Sequence, residues 1–205
     1  MIKNIIYDFG GVLLNLDFKR SFDAFEKLGY SDFDQMFAQH NADDLFQKLE
    51  TGKISNEDFY TQLAAIAPQP VTHVQLKDAW NAMLVNYRIN SLKFLITLKN
   101  NYNLFLLSNT NAIHYDHFSQ MLRGETGYQK LENFFSKAWF SHEIKRRKPD
   151  VATFEFVLND AGLEAAETLF IDDSHSNLPN AESIDIKTHL LKPAERIEDL
   201  NYSGY

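Results

Sequence analysis

The sequence predicts an α/β protein, a parallel sheet with helices on both faces and an all-helical insertion after the first strand. Three observations predict it. The later part of the 205-residue chain alternates β-rich apolar runs with segments of helical period, the order of a parallel sheet, whose strands are joined by crossovers. The runs IIY, LFLL and LFI lack the polar alternation of a half-exposed strand and read as buried on both faces. About 70 residues of almost purely helical pattern separate the first run from the next.

Ile2–Tyr7 is the first strand. It ends on Asp8 and the glycine pair Gly10–Gly11. Phe18, Phe22, Phe25 and Leu28 then fall on one helical face, which Gly29 stops. Helices follow over Asp32–His40 and Asp43–Glu50, the latter ending at Thr51–Gly52. Ser55 and Asp58 have capping-box spacing and open a helix through Ala67. After Pro68 and Pro70, Val71–Tyr87 reads as helix around Leu76, Trp80 and Leu84, and Ser91–Asn100 as another. From there strands at Leu104–Leu107, Ala138–Phe140, Thr168–Ile171 and Thr188–Leu191 alternate with helices at Ala112–Leu122, from Lys148–Pro149 to Gly162, and at Leu178–Ser183. The core is therefore expected over residues 1–15 and 87–205, the helical unit over 16–86, and a loose tail over Asn201–Tyr205.

The net charge of −8 opposes a nucleic-acid or anionic-membrane partner. No run reaches the roughly 18 apolar residues of a membrane span. The absence of cysteine removes disulfides and thiolate metal sites. With no leader-like apolar stretch before the first strand, a cytoplasmic protein is expected.

Chemistry gathers at the strand ends. Asp8 closes the first strand, Ser108–Asn109 follow LFLL, Lys148 lies in KRRKP, and Asp172–Asp173 follow LFI with Asn177 just beyond. Parallel strands with right-handed crossovers bring these positions to one edge, where open α/β sheets bind ligands. A carboxylate can attack phosphorus. Two carboxylates from different strands can hold Mg²⁺, a hard ion that keeps several waters. A lysine and a hydroxyl can hold phosphoryl oxygens.

The segments YDFGGVL, LLSNT, RRKP and FIDDSHSN resemble, in order and spacing, the four motifs of the haloacid dehalogenase superfamily. The helical insertion resembles its C1 cap. NLDFKR and TGKIS look like the branch that holds α-D-glucose-1-phosphate phosphatase and the N-terminal domain of soluble epoxide hydrolase. The resemblance implies a Rossmann-like core and Mg²⁺-dependent hydrolysis of a small phosphorylated metabolite of the sugar-phosphate kind, through an aspartyl-phosphate. In it Asp8 is nucleophile and metal ligand, and the Gly10 carbonyl and Asp173 are further ligands. Ser108, Asn109 and Lys148 hold phosphate, while Asp172 and Asn177 support the site.

Most phosphatases of the family carry a second aspartate two residues after the nucleophile, to protonate the leaving group. Here that position is Gly10. Asp17, His175 and a metal-ordered water are the candidate substitutes. Gly10 also keeps two alternatives in view, a metal-independent 2-haloacid dehalogenase and a non-catalytic phosphate-binding or scaffold module. Asp172–Asp173 oppose the dehalogenase, because uncompensated acids beside Asp8 would repel a carboxylate substrate. Trp80, Tyr87 and Tyr115 are candidates for the pocket mouth, Phe18, Phe22 and Phe25 for the core of the insertion, and the scattered histidines for structural roles.

Overall fold

The computed structural model describes residues 1–31, 33–40 and 44–205, giving the backbone alone at positions 36, 38–40 and 44. In chain order the elements are β1 (Asn4–Tyr7), β2 (Leu14–Leu16), α1 (Phe18–Lys27), α2 (Phe33–His40), α3 (Asp44–Glu50), α4 (Asn56–Ala65), α5 (His73–Asn81), β3 (Leu84–Tyr87), α6 (Ile89–Leu98), β4 (Asn103–Ser108), α7 (Ala112–Thr126), β5 (Lys137–Phe140), α8 (Ser141–Ile144), α9 (Val151–Ala161), β6 (Thr168–Asp172), α10 (Leu178–Glu182) and β7 (Lys187–Leu190). The expected helix starts at Asp32 and Asp43 lie outside the described residues.

The main sheet has the order β5-β4-β1-β6-β7 and its pairs are parallel. Its strands are buried on both faces with period two. Ile5, Tyr7, Leu104, Leu106, Leu169 and Ile171 share one apolar cluster, while Ile6, Phe105, Leu107 and Phe170 share another. Burying a side chain of this size stabilises the fold by about 1.5–3 kcal/mol. β1 is central, and Tyr7 pairs in register with Leu106 on one side and Ile171 on the other. Asp8, Ser108 and Asp172–Asp173, the last residues of these strands or the ones just after, therefore emerge together.

Helices α1 to α5 assemble around a separate aromatic core of Phe25, Phe33, Phe46, Phe59 and Trp80. Phe25 and Phe33 stack at 3.7 Å between ring centroids. Helix α4 starts with the expected capping box, Ser55 accepting from the Asp58 amide at 3.0 Å, and Thr72 with Gln75 forms a second at α5. Two connections join the helical group to the sheet, and they run side by side as the antiparallel pair β2–β3. The helix expected over Val71–Tyr87 stops short of its predicted end. Helix α5 ends at Asn81, and Leu84–Tyr87 is strand, not the last turn of a helix. The spacing Leu76–Trp80–Leu84 is helical, but pairing with Leu14–Leu16 wins over it.

The expected loose tail is also docked. Tyr202 is buried, its hydroxyl receives a hydrogen bond from the Tyr7 hydroxyl at 2.9 Å, and it donates to the Ile197 carbonyl at 2.9 Å. Tyr205 meets His189 Nδ1 at 2.7 Å.

Candidate active site

Asp8 leaves β1 with its amide hydrogen-bonded to the Ile171 carbonyl at 2.8 Å, so its position is set by β6 as well as by its own strand. Lys148 is 1% exposed. Its ammonium donates to Asp8 Oδ1 at 2.5 Å and to Asp172 Oδ2 at 2.7 Å. Asp172 is fully enclosed: the Ser174 amide donates to its other oxygen at 2.7 Å, and Asn177 Nδ2 donates to Oδ2 at 2.9 Å. Its hydrogen-bonding capacity is thus directed to holding Lys148 and the loop after β6. Asp173 is more open, and one oxygen from each of Asp8, Asp172 and Asp173 lies within 4.8 Å of the others.

This concentration of acids perturbs its members. Burial pushes the Asp8 carboxyl up to about 7, with Lys148 pulling it down and Asp172 adding to the rise. Burial and Asp172 raise Asp173 as well. Burial disfavours the charged Lys148, but Asp172 and Asp8 more than offset that and hold its ammonium above the ordinary range. Three carboxylates share one buried ammonium. A divalent cation would redress that imbalance, and the oxygens of Asp8 and Asp173 that Lys148 leaves untouched are hard donors of the kind Mg²⁺ takes.

Gly11 lets the loop approach this closely. Its φ is +71°, and a Cβ there would lie 1.9 Å from Asp173 Oδ2. Gly10 is different. Its backbone is ordinary, and the space beside it is taken by Leu16, whose Cδ1 would lie 2.7 Å from a Cβ at position 10.

Asn109 acts on Lys148 through the main chain. Its Nδ2 donates to the Lys148 carbonyl at 2.8 Å and its Oδ1 accepts from the Lys148 amide at 2.9 Å. Both ends of that side chain orient the lysine, and Asn109 also lines the cavity that Ser108 faces. Ser108 lines a cavity of about 260 Å³ whose walls include Phe9 and Gly10, the residues that follow Asp8, with Asn111, His114, Trp80 and Glu50.

Residues 5–191 match the family described as haloacid dehalogenase-like hydrolase. The chain belongs to that family.

Among the relatives of this haloacid dehalogenase-like hydrolase is a D-ribitol-5-phosphate phosphatase of Bacteroides thetaiotaomicron, 31% identical over 92% of this chain and 91% of that protein. A HAD family enzyme from the same organism, solved in complex with magnesium and inorganic phosphate, is 34% identical with a TM-score of 0.86, covering 97% of this chain and 98% of the other. A HAD-like family hydrolase from Porphyromonas gingivalis is 33% identical with a TM-score of 0.86 over 95% and 93% of the two chains. The specific branch suggested by NLDFKR and TGKIS is not among these.

The structure separates the remaining candidates. Asp17 and His175 are exposed, and neither lines the cavity of this hydrolase; Asp17 instead meets Arg20 at 3.3 Å. Trp80 and Phe18 do line it. Phe25 is buried in the helical core, with Phe22 packed against it. Tyr87 and Tyr115 turn elsewhere, their hydroxyls on the Phe118 carbonyl and Glu132.

Two residues of the cavity wall had no signal in the sequence. One is Glu50 at the end of α3. The other is His114 on the first turn of α7, whose N-cap Asn111 accepts from the His114 amide at 3.0 Å. His114 stacks on Trp80 at 4.9 Å, with Nδ1 3.2 Å from Asn111 Nδ2 and Nε2 3.2 Å from the Trp80 carbonyl. The carbonyl can only accept, so Nε2 carries the proton and Nδ1 accepts from the amide. Burial lowers this imidazole to about 4. The unfolded chain therefore binds its proton first, and the stability that the neutral ring contributes is present above about pH 6.5 and lost as pH falls through about 4. That contribution is about 3 kcal/mol. In His114→Gln, the unfolding free energy should fall less steeply from pH 7 to pH 4 by about that amount. Denaturant titrations at the two pH values measure it, and parallel pH profiles would overturn the assignment.

Proposed function

We propose that this protein is a Mg²⁺-dependent phosphomonoester hydrolase for small phosphorylated metabolites, a sugar phosphate or the phosphate of a sugar alcohol. The observation that carries this reading is the buried Lys148 bridge between Asp8 and Asp172, with Asp173 alongside. The D-ribitol-5-phosphate phosphatase among the relatives supports the substrate class.

Asp8 is the nucleophile. Its free oxygen attacks phosphorus, the bond from phosphorus to the ester oxygen breaks, and an aspartyl-phosphate forms; water then cleaves that bond and restores the carboxylate. Asp8, Asp173 and the Gly10 carbonyl hold Mg²⁺, which when bound neutralises charge on the phosphoryl oxygens. An ammonium has three donors. Asp8 and Asp172 take two of those of Lys148, leaving one for a phosphoryl oxygen, which Ser108 also contacts. Asn109 orients the lysine, and Asn177 orients Asp172. Residues 16–86 form the cap, moving on β2 and β3 and excluding water when closed.

4-Nitrophenyl phosphate tests this. Turnover with Mg²⁺ and its loss in EDTA are expected. Release of chloride from 2-chloropropionate, insensitive to EDTA, would instead favour the dehalogenase. Failure on both the aryl ester and a panel of sugar phosphates would favour a binding module.

A further inference from the structure

The phosphatase reading leaves a gap at Gly10, where no side chain can protonate the departing alkoxide. The cavity offers a replacement. Among the described residues that line it, the titratable ones are Glu50 and His114. His114 is spent, since both ring nitrogens are hydrogen-bonded and burial keeps it neutral. Glu50 remains, and it shares the wall with Gly10 and Ser108.

Its placement is specific. Helix α3 ends at Glu50, and the turn after it, Thr51–Gly52, is pinned to the other side of the cleft, where Lys145 Nζ donates to the Gly52 carbonyl at 2.8 Å. Gly52 has φ +57°, and a Cβ there would lie 2.3 Å from the His142 carbonyl, so this turn is built for close approach. Glu50 Oε2 then meets Arg147 at 3.0 Å, and a quarter of the Glu50 side chain stays open. Arg147 is the chain neighbour of Lys148, whose ammonium touches Asp8. Two adjacent cations thus hold three carboxylates, Lys148 those of Asp8 and Asp172 and Arg147 that of Glu50 on the cavity wall.

We propose that Glu50 is the general acid and base of this hydrolase, supplied by the helical unit in place of a side chain at position 10. Burial raises its carboxyl even against Arg147, which favours the protonated form that a donor needs. In the first half-reaction Asp8 attacks phosphorus, the ester P–O bond breaks, and the leaving oxygen takes the proton of Glu50. In the second, water attacks the aspartyl-phosphate, gives its proton to Glu50, and the bond from Asp8 to phosphorus breaks. The glutamate ends as it began. Arg147 matches its carboxylate between the two halves.

The inference rests on the phosphatase reading, and leaving-group dependence separates the two. 4-Nitrophenolate departs without a proton, whereas an alkoxide needs one. Glu50→Gln keeps the shape and can still hydrogen-bond. It should lower kcat for n-butyl phosphate by about 10²–10⁴-fold, and for 4-nitrophenyl phosphate by less than about tenfold, both with Mg²⁺. Equal losses on the two esters would reduce Glu50 to a structural contact with Arg147 and overturn the inference alone. If Glu50→Gln does not melt cooperatively, the same ratio is read in Glu50→Asp, where a donor set back by one methylene should again penalise the alkyl ester selectively. If the wild type turns over neither ester with Mg²⁺, the phosphatase reading falls and this inference with it.

Discussion

Asp8→Asn should abolish turnover, lowering kcat by more than about 10³-fold, while leaving the fold intact. Asparagine fits the same space and can keep a hydrogen-bond acceptor for Lys148, which donates to Asp8 Oδ1 in the native site. It cannot form the phosphoryl ester. The measurement is steady-state hydrolysis of 4-nitrophenyl phosphate beside a thermal melt with and without Mg²⁺. An active Asp8→Asn enzyme would end the aspartyl-phosphate mechanism, whatever its stability.

Lys148→Ala should be the most destabilising single change at the site. The side chain is 1% exposed and lies between two carboxylates of which one, Asp172, is also about 1% exposed. Removing the cation leaves buried negative charge unpaired, which costs about 3–5 kcal/mol. Mg²⁺ should recover part of the loss, because a ligand at a hundred times its Kd stabilises the native state by about 2.7 kcal/mol. Melting curves in EDTA and in Mg²⁺ read both effects. A variant that melts with the wild type in EDTA would show that Lys148 does not balance the acids. Turnover should fall as well, since the same ammonium is the proposed phosphate contact.

Much of this was legible in the sequence, for a physical reason. Buried parallel strands write themselves as short apolar runs, so β1, β4 and β6 could be placed from IIY, LFLL and LFI, and with them the polar residues one step beyond. β2 and β3 could not. They are three and four residues long, and they exist because Leu14–Leu16 finds Leu84–Tyr87 across the whole insertion, a contact that no local pattern encodes. The Tyr202–Tyr7 hydrogen bond is hidden in the same way. Within the site, Asp8, Asp172 and Asp173 sit at strand ends and Lys148 just before helix α9, and all four were readable. Glu50 and His114 are not at strand ends, and their place on the cavity wall depends on how the helical group lies against the sheet. Asn109 was found, but its work on the Lys148 backbone was not, because residue type alone does not say which partner an amide chooses.

The seam between α3 and the loop before Lys148 has a further consequence, for traffic. On the proposed function substrate enters and phosphate leaves under the cap that this seam fastens. Among the described residues it is fastened by the Glu50–Arg147 ion pair, whose side chains are 25% and 21% exposed, and by one exposed lysine-to-carbonyl hydrogen bond. Such contacts are each worth on the order of 1 kcal/mol in water. On the proposed cap motion, release of the seam is a small barrier, and an open population of about 0.1–10% needs no trigger. Added salt weakens the ion pair further. On that proposal the cap is held by a light catch, so the residence time of phosphate is set by its proposed grip on Lys148 and the metal more than by the cap.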